Sequence, residues 1–259
     1  MKMKPFGHSA LGLAVAGALA LGAGAALASA GQKPESRDWS YQGIFGTYDR
    51  GALQRGFQIY QEVCAGCHSL RLVAYRNLAA IGLNEDQIKT IAAEFEVVDG
   101  PNEEGEMFNR PARPSDRFAS PFANANAARA ANNGSLPPDL SLMTKARKGG
   151  PDYLYALLIG YKEEAPEGVE LMEGMYYNSY FPGNQIAMAP PLADDAVEYA
   201  DGTKATAQQL AEDVTVFLAW AAEPELEERK RLGIKVLLFL IVLTAMLYAV
   251  KRQVWSDQH

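Results

Sequence analysis

Both cysteines of this 259-residue chain, Cys64 and Cys67, fall in one decapeptide, EVCAGCHSLR, and the next residue is His68, one of three histidines. No other spacing in the sequence restricts the fold as strongly. Two thiols so placed can close a redox disulfide, supply half of a zinc site, or take the two vinyl groups of a haem. A thioredoxin-like C-x-x-C follows a strand in a βαβ unit. Here the preceding ALQRGFQIYQEVC sets Leu53, Phe57, Tyr60 and Val63 on one stripe at helical spacing, with Thr47 or Asp49 as N-cap. A structural zinc site needs four N or S ligands, and outside the motif the chain has only His8 and His259, one at each end. A Cys64–Cys67 disulfide would close too short a loop to stabilise much. C-x-x-C-H, the c-type haem attachment signature, uses every residue: two thioethers to the vinyls and His68 beneath the iron as proximal ligand. A thiol–disulfide oxidoreductase remains the alternative from another functional class.

The two ends decide where such a haem would sit. MKMKPFGHSALGLAVAGALALGAGAALASA has Lys2 and Lys4 ahead of an Ala/Gly-rich apolar run that ends in Ala28-Ser29-Ala30. It reads as a secretory leader cleaved after Ala30, an N-terminal anchor being the alternative. Near the other end, residues 234–250 carry only Lys235 as a charge. Seventeen residues at about 1.5 Å each span ~26 Å, enough to cross a bilayer core. Tyr248 and Trp255 stand where interfacial aromatics belong. The expected organisation is a leader at 1–30, an exported domain at 31–228, an anchor with basic flanks at 229–252 and a cytoplasmic tail at 253–259. The exported segment holds 30 acidic against 16 basic side chains, a net charge of −14. Such a body repels nucleic acid and anionic lipid and steers basic partners.

Between the ends the pattern is helical with long loops. NEDQIKTIAAEFEVV predicts a helix over 84–98 capped by Asn84, and PDYLYALLIG a short helix with Pro151 in its first turn. TAQQLAEDVTVFLAWAAEPE opens with a capping box, Thr206 to Gln209, and aligns Leu210, Val214, Phe217 and Leu218, with Pro224 at its end. Residues 99–139 and 161–203 read as irregular, and no useful stretch alternates with the period of a strand. The fold class expected is mainly α: a c-type cytochrome-like haem domain with long loop insertions and one C-terminal transmembrane helix.

The second axial ligand separates an open, reactive iron from a high-potential electron carrier. The exported methionines are Met107, Met143, Met172, Met175 and Met188, most of which should be core filler. Met188 stands out in FPGNQIAMAPPL, a loop stiffened by Pro190 and Pro191.

Taken together, DGPNEEGEMFNRP, ARAANNGSLPPDLSL, ARKGGPDYLYALLIGY, YYNSYFPGNQIAMAPPL and FLAWAAEPE with one anchor behind it resemble the cytochrome c1 family, in its bacterial form, over essentially the whole mature chain. The resemblance implies one covalently bound haem c. It implies Cys64 and Cys67 as the thioether cysteines, His68 and Met188 as axial iron ligands, and Arg147 and Tyr153 on the propionate side. Asn132, Pro137 and Pro138 match the loop around the haem edge, and Glu103, Glu104 and Glu106 a region that attracts a mobile cytochrome. The implied role is the haem subunit of ubiquinol–cytochrome c oxidoreductase, not catalytic alone. It would accept an electron from the Rieske iron–sulfur protein, pass it to a soluble basic c-type cytochrome, and sit beside a cytochrome b subunit in a dimeric complex. The site implied is the periplasmic face of a bacterial inner membrane, with a single span. A stand-alone anchored cytochrome feeding an oxidase is the nearest rival. Some bacterial relatives brace the distal-ligand side with a disulfide; this chain has no spare cysteine, so packing and prolines alone are expected to hold Met188.

Overall fold

The computed structural model of the chain describes residues 31–256. Residues 1–30, expected as a cleaved leader, and residues 257–259 lie outside the described residues.

Helix α1 (Arg50–Ile59) starts where the Asp49 carboxylate accepts the Ala52 amide at 3.1 Å. It runs directly into a five-residue π turn, Tyr60–Cys64, in which the Ala65 amide reaches the Tyr60 carbonyl at 2.7 Å. The cysteine motif thus leaves an amphipathic helix, as its spacing predicts, through a widened turn of the kind common at functional sites.

Helix α6 (Ala207–Ala222) crosses α1 and forms the other half of the core. Gly56 sits at the crossing: a Cβ there would lie 2.1 Å from the Asp213 carbonyl oxygen and 2.7 Å from Phe217 Cβ, so only glycine lets the two backbones touch. Beside it Arg55 forks onto the fully buried Asp213, Nε to Oδ2 at 2.8 Å and Nη2 to Oδ1 at 3.0 Å. Tyr199 donates to the same carboxylate at 3.0 Å. Phe57, Tyr60, Phe118, Phe217 and Trp220 pack around the crossing, with Phe57 and Phe217 centroids 5.6 Å apart.

Thr206 caps α6 by accepting the Gln209 amide at 3.2 Å, but the capping box is only half made. The Gln209 side chain turns forward to Asp213 at 3.1 Å, because that buried carboxylate has acceptor capacity the N-terminus lacks.

Two further expectations are corrected. Helix α2 is Glu85–Ala93, with the Asn84–Gln87 capping box complete, and it stops short of residue 98. Residues Glu96–Asp99 form strand β1, paired antiparallel with β2 (Phe108–Pro111) in the segment expected to be irregular. Val97 and Val98 satisfy a strand at least as well as a helix once partners thirteen and eleven residues on, Arg110 and Asn109, supply the pairing. The same segment also contains α3 (Ala125–Ala131), capped by Asn124. A short α4 (Met143–Ala146) then leads to α5 (Gly150–Ile159), with Pro151 in its first turn as expected. A small hairpin follows, β3 (Tyr176–Tyr177) with β4 (Gln185–Ile186).

Pro224 separates α6 from α7 (Leu226–Trp255), a 30-residue helix containing an 18-residue stretch of mean hydropathy 2.4 that packs on nothing among the described residues. By length and composition it suffices to cross a membrane. The described fold is mainly helical, as expected.

Asp213→Ala leaves the Arg55 guanidinium half-paired against the α1–α6 crossing. We expect a loss of about 3 kcal/mol and a melting temperature lower by roughly 6–12 °C, read by calorimetry on the solubilised, haem-loaded chain.

Candidate functional site

The π turn and the loop behind it present the motif. The Cys67 and His68 amides both donate to the Cys64 carbonyl, at 3.1 and 2.9 Å, and the Tyr60 hydroxyl donates to the His68 carbonyl at 3.2 Å. Both thiols are free, with Cys64 half-buried and Cys67 exposed. Burial, reinforced by the neighbouring Cys67, pushes the Cys64 thiol up to about 12. Redox-active cysteines are instead held as thiolates by a depressed pKa, so this environment does not suit disulfide exchange.

His68 Nδ1 lies 2.8 Å from the Pro138 carbonyl oxygen. A carbonyl only accepts, so Nδ1 carries the proton and the Nε2 lone pair is left free for a metal. Burial lowers the His68 pKa, opposed by the Pro138 hydrogen bond and the Asp139 charge. A carbonyl bonded to the far nitrogen in this way orients a ligating imidazole.

Asp139, which the sequence reading did not single out, fixes that carbonyl in place. Its carboxylate accepts the Ser69 hydroxyl at 2.7 Å and the Arg71 and Ser141 amides at 2.9 and 3.0 Å. The Leu140 amide bonds the Ser69 carbonyl at 2.8 Å, so segments 69–72 and 138–141 are zipped side by side. Burial alone would raise the Asp139 pKa; the donors from Arg71, Ser141 and Ser69 outweigh it and hold the carboxyl at about 2. The nearest sequence signal is its place beside PP in SLPPDLSL.

An open cavity of about 370 Å³ lies next to this zipper, bounded by Leu72, Pro138, Leu142, Met143 and Arg147 among others. Leu72, Leu136 and Leu142 are each more than two-fifths exposed. Arg147 makes no ion pair among the described residues, its guanidinium donating only to the Ala146 carbonyl at 3.4 Å. An unpaired guanidinium beside exposed leucines is suited to a flat apolar group that bears carboxylates.

Met188 belongs to a second arm. Its carbonyl accepts the Tyr161 hydroxyl at 3.0 Å. Tyr161 is raised in pKa by burial and by the nearby Tyr153, and Tyr153 by burial against the opposing charge of Arg147. Arg147 thus acts electrostatically on Tyr153, and Tyr153 on Tyr161, whose hydroxyl reaches the Met188 carbonyl. Prolines and packing are not alone in holding this arm, contrary to expectation. The fully buried Asn178 donates to the Leu157 carbonyl at 2.8 Å and accepts the Tyr180 and Phe181 amides at 3.0 and 3.2 Å. The Asn184 side chain bonds the carbonyls of Asn178 and Ser179, and the Ser179 amide bonds Gly160. Neither Asn178 nor Tyr161 was distinguishable in the sequence from a turn residue and a core aromatic.

The haem-edge candidates are placed less uniformly. Pro138 is at the centre of the site and Pro137 is half-buried beside it, whereas Asn132 bonds within its own loop, to the Ala128 carbonyl at 2.7 Å. Glu103, Glu104 and Glu106 are exposed at the turn of the β1–β2 hairpin, where Asn102 accepts the amides of Glu104 and Glu106.

The donor set fits an iron porphyrin: two free thiols one turn apart, an imidazole with a free Nε2, an apolar cavity and an unpaired arginine. Comparison with known proteins points the same way. A cytochrome c1 from Rhodospirillum rubrum is 53% identical over 254 residues, covering 92% of this chain and 93% of that one. The mitochondrial heme protein cytochrome c1 1 of Arabidopsis thaliana is 51% identical over 95% of this chain and 80% of its own length. A Bradyrhizobium diazoefficiens protein named cytochrome b/c1 is 48% identical over 96% of this chain, which spans only 40% of that longer protein. The model of the Cytochrome C1 family matches residues 39–258, and the chain belongs to that family.

Proposed function

We propose that the chain is the membrane-anchored haem subunit of a bc1-type quinol–cytochrome c oxidoreductase. It takes one electron from a Rieske iron–sulfur protein and passes it to a soluble c-type cytochrome. The observation that carries this reading is His68, whose Nδ1 is committed to Pro138 while Nε2 stays free, one residue after two unpaired thiols. When bound, the haem supplies a one-electron iron couple; the chain performs no bond chemistry on a substrate.

In this reading Cys64 and Cys67 would hold one haem through thioethers, and His68 and Met188 would ligate its iron. Arg147 would neutralise a propionate, with Tyr153 beside it, and Asn132, Pro137 and Pro138 would line the pocket. A thioether ligand in an apolar pocket raises the potential, which suits a late carrier in the chain. Cleavage after Ala30 would leave the 31–228 domain on the periplasmic side, with α7 spanning the membrane beside a cytochrome b subunit in a dimeric complex. The joint b/c1 name of the Bradyrhizobium relative favours that neighbour over a stand-alone carrier, and co-purification with a b-type cytochrome distinguishes the two. A pyridine haemochrome spectrum of the purified chain tests covalent haem directly.

Met188→Leu should lower the midpoint potential by on the order of a few tenths of a volt and stop quinol-dependent cytochrome c reduction. A potentiometric titration unchanged from the parent would remove Met188 as ligand. Asn178→Ala should cost about 2–4 kcal/mol, because the Leu157 carbonyl and two amides lose their only side-chain partner in a fully buried position. The long-wavelength absorption of a thioether–ferric bond should fade on heating well before the helices melt. Asn178→Asp keeps an acceptor for the two amides but sets a second acceptor against the Leu157 carbonyl, so it should recover only part of that thermal range.

The exposed carboxylates at 103–106 and 163–173 make a separate case. Electron transfer to a basic cytochrome should slow as salt rises past 0.1 M, where screening acts within about 10 Å. Stopped-flow rates flat across that range would reduce the acidity to a solubility feature.

A further inference from the structure

The most exposed large apolar side chain among the described residues is not on α7. Phe45 is 83% exposed and its neighbour Ile44 67%, against 62% for Phe239 on the apolar helix itself. Both sit at the tip of YQGIFGTY, residues 41–48, a loop closed by the Thr47 amide on the Ser40 carbonyl at 3.1 Å. The loop is tight by construction: a Cβ on Gly46 would lie 1.8 Å from the Gln42 carbonyl oxygen, and Gly43 has φ +70°.

Its base is tied to the first turns of α7. Lys230 Nζ donates to the carbonyls of Tyr41 and Gly46 at 2.6 and 2.9 Å, and the Tyr48 amide donates to Glu227 at 2.8 Å. Arg50 reaches the same carboxylate at 2.8 Å. Lys230 lies four residues before the apolar run that opens at Ile234, so the base stands about 6 Å along the helix axis from that level. A headgroup layer is roughly 5–8 Å thick, and two or three extended residues reach up to about 10 Å. The loop is therefore held at headgroup depth with two large apolar side chains that nothing among the described residues covers.

We propose that residues 42–46 form a second, interfacial membrane contact, with Ile44 and Phe45 entering the boundary between headgroups and acyl chains beside α7. The proposal rests on α7 spanning the bilayer. It favours lipid over a protein partner because the patch is continuous with the membrane-crossing helix through Lys230 and Glu227, at the depth where apolar side chains meet headgroups. One span alone leaves the domain free to tilt; a second contact tied to the first turns of that span would set its orientation above the membrane.

The test is photocrosslinking of the full, haem-loaded chain in nanodiscs and in the assembled complex. A benzophenone amino acid replaces Phe45, Phe239 on α7, or Val98 on β1, which is 67% exposed and remote from α7. Position 45 should give lipid adducts roughly tenfold above position 98, in both preparations, as expected for an interfacial residue. Adducts at 239 without adducts at 45 overturn the inference and leave the anchor standing. Absence of lipid adducts at both 239 and 45 overturns the anchor and the loop contact together. Crosslinking of position 45 to another subunit in the complex assigns the patch to protein docking and overturns the lipid contact.

Discussion

Everything in this molecule hangs on the close crossing of α1 and α6 at Gly56. The backbones touch there because no side chain intervenes, and the contact is locked by Arg55 on the buried carboxylate of Asp213. A charged pair is a costly way to fill a core, and its use is in orientation, since a forked guanidinium fixes one register where apolar packing tolerates several. That register matters because α1 runs straight into the π turn that presents Cys64, Cys67 and His68. A slip of one residue along α6 would turn the motif away from the Pro138 carbonyl.

The loops are rigid for a related reason. A domain with little sheet has to satisfy many buried backbone groups by side chains, and two residues do so beside the candidate site. Asp139 gathers donors from residues 69 and 71 on one side and 141 on the other, which sets the Pro138 carbonyl against His68. Asn178 gathers one carbonyl and two amides from residues 157, 180 and 181, which steadies the segment that leads to Met188. Where a disulfide would constrain the unfolded chain, this hydrogen-bonded turn constrains the folded one, and it survives reducing conditions.

Charge and greasiness are segregated along the molecule. Exposed carboxylates cluster in the loops at 103–106 and 163–173, three bases stand together at 229–231, and exposed apolar side chains occupy α7 and the 42–46 tip. Such polarity orients a protein at a membrane with its acidic face toward solution.

Helices α1, α2, α5, α6 and α7 were legible in the sequence because their signals are local. Asp49, Asn84 and Thr206 each cap within three residues, and the apolar stripes of α1 and α6 repeat at helical spacing; α3, capped by Asn124, lies in a segment expected to be irregular. The haem motif was legible because two cysteines and their adjacent histidine exhaust the chemistry available. Strand β1 was not, since EVV continues an apolar pattern that either period accepts and its partner lies beyond a turn. Asp139, Tyr161 and Asn178 were not, because each looks locally like a turn or core residue and acquires its role from groups brought together by the chain's return. By itself, then, the sequence determined which groups can bind a haem and which segment is apolar enough for a membrane, since both follow from residue identity and spacing. Only the tertiary structure decided which carbonyl holds His68, which hydroxyl pins Met188 and which loop stands beside the anchor, since those contacts join residues dozens of positions apart.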